Sequence, residues 1–327
     1  MQTAFRSNGD SPNSCKPPQW AYGLVGDCPD VGVADSHGVH IRCRAGREFT
    51  LASAWASDAR GFDSGEFQRC VENLYDGVFE AVGARQVVRL WNFIPGICNP
   101  IDDFDQRYKV FNIGRFNSFN RRFGGDGESG RQFATASGIG TTSSDLVVHA
   151  LAAVNPAEPV ENPRQIPSYR YSETYGPLPP CFARAMRIQG DVQRLLVGGT
   201  ASIRGEETVH INNPDKQLDE TILNLAAVVG AGLGMVSIDR DFEQHTRHLL
   251  ERYQSLRVYC PDSLHLDSLV DRMQASFPGL SEIEFMQAEL CRPGLIVEIE
   301  GWADLGGSTF YHRWPESGRT INPTSCS

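Results

Sequence analysis

Hydrophobic positions recur with one spacing in two separate parts of the chain. In each part, four apolar residues follow one another at steps of four, three and four residues. This spacing places the four side chains on one face of a helix, so it predicts two amphipathic helices. The two sets are Phe67, Val71, Leu74 and Val78, and Leu218, Ile222, Leu225 and Val229.

Similar segments flank both predicted helices in the same order. Each helix follows a β-like run and precedes a strand rich in β-branched and aromatic residues, which leads to a second helical stretch and a closing hairpin. The matched order indicates an internal duplication, although any amphipathic helix between strands would look similar. The segments are 49–56, 87–94, 105–119 and 132–140 with 146–153 in the first copy, and 195–203, 255–260, 265–275 and 283–291 with 295–303 in the second.

This order predicts an α+β fold with two tandem domains, each a mixed β-sheet covered on one face by two helices. Seven prolines between residues 154 and 180 disfavour a regular helix or central strand there and mark a connection between the copies. We therefore expect one domain at 1–155, which begins with a polar, flexible N-terminal arm. The second, at 156–327, begins with the proline-rich linker.

Composition and charge exclude several classes of function. The chain is 40% hydrophobic and 21% charged, and it lacks both a membrane-spanning apolar run of about 20 residues and the apolar core of a secretory signal. We expect a cytoplasmic protein without a membrane partner. The net charge of −10 disfavours nucleic acid and requires local arginines for any anionic substrate. Nine scattered cysteines form no C-x-x-C pair, so we expect reduced thiols and no metal.

The closing strands of the two copies differ at one titratable position. Aligning LVVHALAA (146–153) with LIVEIEGW (295–302) sets His149 opposite Glu298. Alternation along a strand places Glu298 and Glu300 on the same face. A buried Glu298 would have a raised pKa and could donate a proton, but the pair could equally form a solvent-facing stripe. We expect His149 to be a satisfied interior histidine and Cys291 to be a small buried hydrophobe.

The linker concentrates arginine and tyrosine in an otherwise acidic protein. Guanidinium groups bind carboxylates through paired hydrogen bonds, and tyrosines provide flat walls and hydroxyl donors, so this composition suits a ring acid. A solvated linker with incidental charge is the alternative. The residues concerned are Arg164, Tyr169, Arg170, Tyr171, Tyr175, Arg184 and Arg187.

Several motifs resemble a known enzyme family. Each half is similar to the Rid superfamily of enamine and imine deaminases, whose domains have the bacterial chorismate-mutase-like fold, and the whole chain resembles the chorismatases of the 3-hydroxybenzoate synthase type. The resemblance covers most of the chain after the arm. Its motifs are RLWNFIPGI at 89–97, FNIGRFNSF at 111–119, QFATASGIG at 132–140, YRYSETYGP at 169–177, FARA at 182–185, GGTASIRGEETVH at 198–210 and CRPGLIVEIEG at 291–301.

The resemblance implies conversion of chorismate to pyruvate and 3-hydroxybenzoate, with some 4-hydroxybenzoate. Glu298 would protonate the methylene carbon of the enolpyruvyl group, and Cys291 is typical of the members that form an aromatic product. No cofactor is needed, because acid catalysis and anion binding suffice. Rid proteins commonly form trimers, so we expect a monomer or a trimer. The implied substrate-binding residues are Arg184, Tyr175, Tyr169, Arg170, Thr200 and Gly205.

Three other functions stay open at this point. They are hydrolysis of chorismate to a dihydroxycyclohexadiene carboxylate, a Rid-type enamine or imine deaminase, and a binding module without catalysis. Leu280 stands where the Rid family has its substrate-binding arginine, which disfavours the deaminase. The glutamate at 298 and the cluster of arginine and tyrosine disfavour the binding module.

Overall fold

The structure is a computed structural model that describes residues 5–7, 15–36, 38–124, 133–190, 192–235, 242–262, 266–280 and 283–306. The helices are α1 (Gln19–Val25), α2 (Ser64–Val82), α3 (Arg107–Phe123), α4 (Pro214–Gly232), α5 (Phe242–Leu250) and α6 (Leu266–Ser276). The strands are β1 (Phe5–Ser7), β2 (Asp30–Ser36), β3 (Val39–Ala45), β4 (Phe49–Ala56), β5 (Gln86–Pro95), β6 (Thr135–Thr141), β7 (Leu146–Ala153), β8 (Ala157–Val160), β9 (Ala185–Ile188), β10 (Arg194–Ala201), β11 (Ile203–Arg204), β12 (Glu207–Thr208), β13 (Tyr253–Cys260), β14 (Ile283–Gln287) and β15 (Glu298–Asp304).

The two helices predicted from hydrophobic spacing are α2 and α4, and all eight predicted positions are buried. Both helices begin at a side chain that satisfies a free backbone N–H group. Asp63 accepts a hydrogen bond from the Glu66 backbone at 2.8 Å, and Glu66 accepts one in return. Asn213 accepts from the Lys216 backbone at 3.0 Å, and proline occupies the first position of α4.

The strands form two large mixed sheets. The N-terminal sheet has the order β2-β3-β4-β7-β5-β6, and the C-terminal sheet has the order β1-β14-β13-β15-β10-β9-β8. In each sheet the last strand of the copy, β7 or β15, pairs antiparallel with both neighbours. Helices α2 and α3 cover one face of the N-terminal sheet, and α4, α5 and α6 pack against one face of the C-terminal sheet. The predicted α+β class is confirmed.

The predicted closing hairpins are wrong. Strand β5 lies between β6 and β7, and β13 lies between β14 and β15, so the strands that follow one another in sequence are not neighbours. The four residues 142–145 are long enough to connect β6 to β7 across β5. Crossing one intervening strand requires roughly 10 Å, and each extended residue spans about 3.3 Å. The strongly hydrophobic β5, with nine of its ten residues buried, takes the interior position instead.

The linker and the arm contain more strand structure and more buried residues than their proline content and polarity predict. Within the linker, β8 contains Pro159 and forms the edge of the C-terminal sheet, a position where a missing N–H group costs no ladder hydrogen bond. Within the arm, β1 pairs with β14 and Cys15 is fully buried. These residues of the arm and the linker therefore pack against the rest of the protein, and the flexibility of the arm stays a prediction. The domain boundary at 155/156 stays a prediction.

The faces of the two sheets that lie opposite α2 and α3, and opposite α4, α5 and α6, share one buried cluster. Trp91, Phe93 and Leu151 from the N-terminal sheet belong to the same cluster as Leu196 and Tyr259 from the C-terminal sheet. We call the boundary between these two faces the seam. Among the helices that the structure describes, none has the length and apolar character to cross a membrane.

Candidate active site

A cavity of about 460 Å³ opens at the seam. The beginning of α3 and the residues just before it contribute one wall from the N-terminal half, and the linker, β10 and the segment leading into β15 contribute the others. The volume lies in the range of small-molecule sites. Four of the predicted site residues line this cavity: Glu298, Cys291, Arg184 and Tyr175.

Glu298 is the first residue of β15 and pairs with Ala201 on β10 and Tyr259 on β13. Its side chain is only 4% exposed, so the interpretation as a solvent-facing stripe is wrong. Burial, followed by the negative charge of Glu300, raises the pKa of Glu298 to about 8, although nearby arginines oppose the shift. The carboxyl group is therefore mostly protonated at neutral pH and is suited to donate a proton.

The carboxyl group of Glu298 rests on the backbone of Gly199. A β-carbon added at Gly199 would overlap Oε1 and lie 2.7 Å from the carboxyl carbon of Glu298. The preceding Gly198 has an equally close neighbour, because a β-carbon there would lie 2.7 Å from the carbonyl oxygen of Ala136 on β6. The two glycines thus allow β10 to approach both the Glu298 carboxyl group and the N-terminal sheet.

Glu300 belongs to a fully buried polar cluster that joins the two halves. Its carboxylate accepts hydrogen bonds from Arg89 at 2.5 Å, from Ser137 at 2.5 Å and from the indole of Trp91 at 2.8 Å. Arg89 and Trp91 lie on β5 and Ser137 lies on β6, so all three donors come from the N-terminal sheet. We call these four residues the seam cluster. It holds the strand that carries Glu298 against the other half.

Cys291 lines the cavity near Glu298. Burial raises the pKa of its thiol to about 12, and the proximity of Glu298 adds to the shift. The thiol is therefore neutral at physiological pH and is a poor base. This supports a role in shaping the cavity more than one in removing a proton.

Two arginines line the cavity, Arg184 just before β9 and Arg292 in the segment that leads into β15. Arg184 donates hydrogen bonds to the Ile166 carbonyl at 2.9 Å and to the Tyr171 hydroxyl at 2.5 Å, while its buried Nε has no hydrogen-bond partner among the described residues. Arg292 donates to the Glu206 carbonyl and stacks 4.0 Å above the Tyr175 ring. Aromatic faces thus hold both cations in position for anionic groups.

The other four predicted binding residues do not line the cavity. Tyr169 packs against Phe133, with ring centroids 5.6 Å apart, and Arg170 stacks on the outer side of Tyr169 at 5.8 Å. Thr200 is buried and donates to the Gly198 carbonyl. Gly205 forms the turn between β11 and β12 with φ +60°. Their roles stay predictions.

The lining residues that were not among the predicted site residues include Arg292, Gly199, Tyr108 and Lys109. Arg292 begins the sequence Arg-Pro-Gly (292–294), which is typical of a turn and gives no signal of a binding role. The position of α3 beside the C-terminal half depends on how the two sheets associate. Local sequence patterns do not encode that association.

His149, the counterpart of Glu298, is satisfied as predicted. Its Nδ1 lies 2.7 Å from the Ser53 hydroxyl, and its Nε2 lies 2.8 Å from the Cys15 carbonyl. Burial lowers the pKa of the ring to about 4, so the ring is neutral at physiological pH. Leu280, at the place of the Rid arginine, is buried in the apolar core of the C-terminal half.

Comparison with known proteins gives a consistent assignment. Residues 30–152 match the family described as Chorismatase FkbO/Hyg5-like, N-terminal. A 3-hydroxybenzoate synthase of Streptomyces hygroscopicus is 30% identical over 249 residues, which are 73% of this chain and 70% of that protein. A chorismatase of Streptomyces rapamycinicus is 28% identical, covering 74% of this chain and 72% of that protein.

The three-dimensional comparison agrees with the sequence matches. A crystal structure of a chorismatase aligns with a TM-score of 0.68 at 26% identity, covering 84% of this chain and 80% of the other. This coverage includes both sheets and therefore extends beyond the matched N-terminal segment. The chain belongs to the chorismatase family.

Proposed function

We propose that this protein converts chorismate to pyruvate and 3-hydroxybenzoate, with some 4-hydroxybenzoate, and that Glu298 is the proton donor. The observation that carries the proposal is a buried carboxyl group with a pKa of about 8 that lines a cavity together with two arginines. The named activities of the relatives, a 3-hydroxybenzoate synthase and two chorismatases, support the same substrate.

The charges of the cavity suit a substrate with two carboxylates. Chorismate carries one on its ring and one on its enolpyruvyl group. Arg184, with its unpartnered Nε, and Arg292, held by the ring of Tyr175, provide one cation for each. The surrounding Tyr171, Phe182 and Leu295 offer apolar area to the ring. This arrangement would orient the enolpyruvyl methylene toward Glu298.

The proposed reaction begins with transfer of the Glu298 proton to the methylene carbon, which becomes the methyl group of pyruvate. The resulting oxocarbenium ion weakens the bond between the ether oxygen and the ring carbon. When that bond breaks, its electron pair stays with the oxygen, which becomes the keto group of pyruvate. As the ether bond breaks, the neighbouring ring hydroxyl attacks the same ring carbon and gives its proton to the Glu298 carboxylate, so that an epoxide forms. The epoxide opens at the carbon that first bore the hydroxyl. Loss of the hydrogen on that carbon and protonation of the oxygen then give the aromatic ring with one hydroxyl group. The two products together contain the same atoms as chorismate.

Hydrolysis is the competing outcome, and it differs by one water. Attack of water on the oxocarbenium ion would release pyruvate and leave a dihydroxycyclohexadiene carboxylate. We infer the aromatic product because a cysteine at position 291 is typical of the family members that form one, and its neutral thiol lines the cavity beside Glu298. The deaminase alternative has less support, because Leu280 lies in an apolar core and offers no cation to a substrate carboxylate.

The test is incubation of the purified protein with chorismate, followed by chromatographic separation of the products. We expect pyruvate and 3-hydroxybenzoate in equal amounts when any 4-hydroxybenzoate is counted with the latter. Pyruvate accompanied only by the diene diol would refute the product assignment. The absence of pyruvate would refute the proposed function.

Glu298→Gln tests the role of the acid. The amide has nearly the same shape but cannot donate a proton to carbon, so we expect turnover to fall by roughly a hundredfold or more while the fold is retained. Circular dichroism and the binding of an unreactive chorismate analogue would verify the fold and the site. Near-normal turnover would show that another group supplies the proton.

A further inference from the structure

A second cavity, of about 290 Å³, lies on the face of the N-terminal sheet opposite α2 and α3. Strands β3, β4 and β7 and the segment containing Cys15, Lys16 and Tyr22 line it. At its base, His149 pairs with Ser53 on β4 and Trp91 on β5. Glu298 pairs in the same way with Ala201 on β10 and Tyr259 on β13. The second cavity is therefore the counterpart of the candidate active site in the other copy.

Both cavities contain arginines stacked on aromatic rings. In the second cavity, the guanidinium of Arg42 lies 5.8 Å from the centre of the Trp55 ring, and that of Arg44 lies 5.7 Å from the centre of the Tyr22 ring. The first cavity has the same arrangement in Arg184 with Tyr171 and in Arg292 with Tyr175. An arginine held on a ring keeps its planar donors available for a carboxylate.

The second cavity carries a local excess of positive charge in a protein of net charge −10. Lys16, Arg42 and Arg44 contribute three cations to its lining, and Asp30 contributes one anion. Asp30 lies 2.5 Å from Arg44 and 3.6 Å from Arg42, so it compensates only part of this charge. An anionic ligand would complete the balance.

Among the described residues that line the second cavity, none is a buried carboxyl group comparable with Glu298. Both ring nitrogens of His149 are already engaged, with Ser53 and with the Cys15 carbonyl. The side chain is 6% exposed and neutral at physiological pH. A ligand at this position would therefore be bound without being protonated.

We propose that the second cavity is a non-catalytic binding site for a compact aromatic monocarboxylate. Arg42, Arg44 and Lys16 would bind the carboxylate, and Trp55 and Tyr22 would contact the ring. The volume of 290 Å³ accommodates a ring with one carboxylate, and Lys16, Arg42 and Arg44 together offer a site for one such anion. The site does not depend on the proposed reaction, because its ligand class follows from its own residues.

Equilibrium dialysis of the full chain with radiolabelled benzoate tests this site without any turnover. We expect two benzoates per chain. Arg42→Ala should weaken one of them by roughly tenfold, the effect of a lost charged hydrogen bond, and Arg184→Ala should weaken the other. Arg42 is half exposed, so its replacement leaves the core intact. Arg47→Ala removes an exposed cation outside the cavity and should change neither affinity.

A second variant separates ring contact from charge. Trp55→Leu should weaken the same benzoate as Arg42→Ala and leave the Arg184-dependent one unchanged. A single benzoate per chain would overturn the proposal. So would a second benzoate whose affinity is the same in Arg42→Ala, Trp55→Leu and Arg47→Ala. Because the readout is binding, either failure would leave the conversion of chorismate untouched.

Discussion

Glu298 and Glu300 lie on the same face of one strand, yet their surroundings suit them to different tasks. Glu300 accepts hydrogen bonds from three buried side chains and is paired with Arg89. Glu298 makes no side-chain hydrogen bond with the described residues, and its pKa is raised to about 8. The contrasting environments of the two carboxyl groups thus suit Glu300 to a structural role and Glu298 to the proposed role of acid.

The raised pKa of Glu298 predicts how activity depends on pH. The proton donor is the neutral carboxyl, which predominates below about pH 8 and is lost as the pH rises through that value. We expect kcat/KM to fall by about tenfold for each pH unit above it, because kcat/KM reports the free enzyme. Initial rates of pyruvate release between pH 6 and 10 would measure this. A flat or rising profile across pH 8 would contradict the assignment.

The close contact between Gly199 and the Glu298 carboxyl group predicts the effect of a substitution at Gly199. In Gly199→Ala the new methyl group would push the Glu298 carboxyl away from its position, and displacements of about 1 Å can cost about a hundredfold in rate. We expect turnover to fall accordingly, and overpacking to destabilise the fold by about 1–3 kcal/mol. Initial rates and thermal unfolding would measure the two effects.

Gly61→Ala is the matched control, since a β-carbon at Gly61 meets no atom within 4 Å. It should leave both turnover and stability nearly unchanged. If Gly199→Ala behaved like this control, the close contact between Gly199 and Glu298 would matter neither for turnover nor for stability.

The sequence and the resemblance led to Glu298 as the proposed acid, but they did not predict the surroundings of its carboxyl group. Alternation along the last strand placed Glu298 and Glu300 on one face, and the resemblance assigned the proton to Glu298. Whether that face was buried depended on the other sheet, which lies far away in sequence. Arg292 was missed for a related reason, because a turn residue becomes a ligand-binding group only when a cavity forms beside it.

At the scale of elements, helices were easier to predict than sheet order. The spacing of four, three and four residues is a local signal, and all eight positions are buried in α2 and α4. Strand order is not local, because β5 and β13 insert between strands that follow one another in sequence. The short strands β8 and β9 were missed because they lie within or beside proline-rich sequence.

The seam cluster, which joins β15 to the N-terminal sheet, predicts the effect of removing the charge of Glu300. Glu300→Gln would leave the fully buried charge of Arg89 without its counterion, which should cost about 3–5 kcal/mol of unfolding free energy. It should also lower the pH at which activity falls, because the charge of Glu300 raises the pKa of Glu298. Denaturant unfolding and the pH profile would measure the two effects.

Glu158→Gln is the control for this variant. Glu158 pairs with Arg187 at the surface, where the loss of an ion pair costs about 0–1 kcal/mol. If Glu300→Gln does not fold, Ser137→Ala removes one hydrogen bond of the same cluster at lower cost. Equal stability of the Glu300 and Glu158 variants would contradict the role of the seam cluster.

At the scale of the whole molecule, the shared core makes the two halves interdependent. Trp91, Phe93, Leu196 and Tyr259 are buried against one another across the seam, so separating the halves would expose large apolar side chains and the charge of Arg89. We therefore expect one cooperative thermal transition, in place of one for each half. Calorimetry would measure this, and two resolved transitions would show that the halves unfold separately.

The placement of the candidate active site between α3 and β15 has a mechanical consequence. A molecule bound there touches both copies at once and becomes a bridge between them. Thermodynamic reciprocity then requires that occupancy strengthens the association of the two halves by the same factor by which their association strengthens ligand binding. Ligand affinity and the association of the two halves are therefore linked by one coupling free energy.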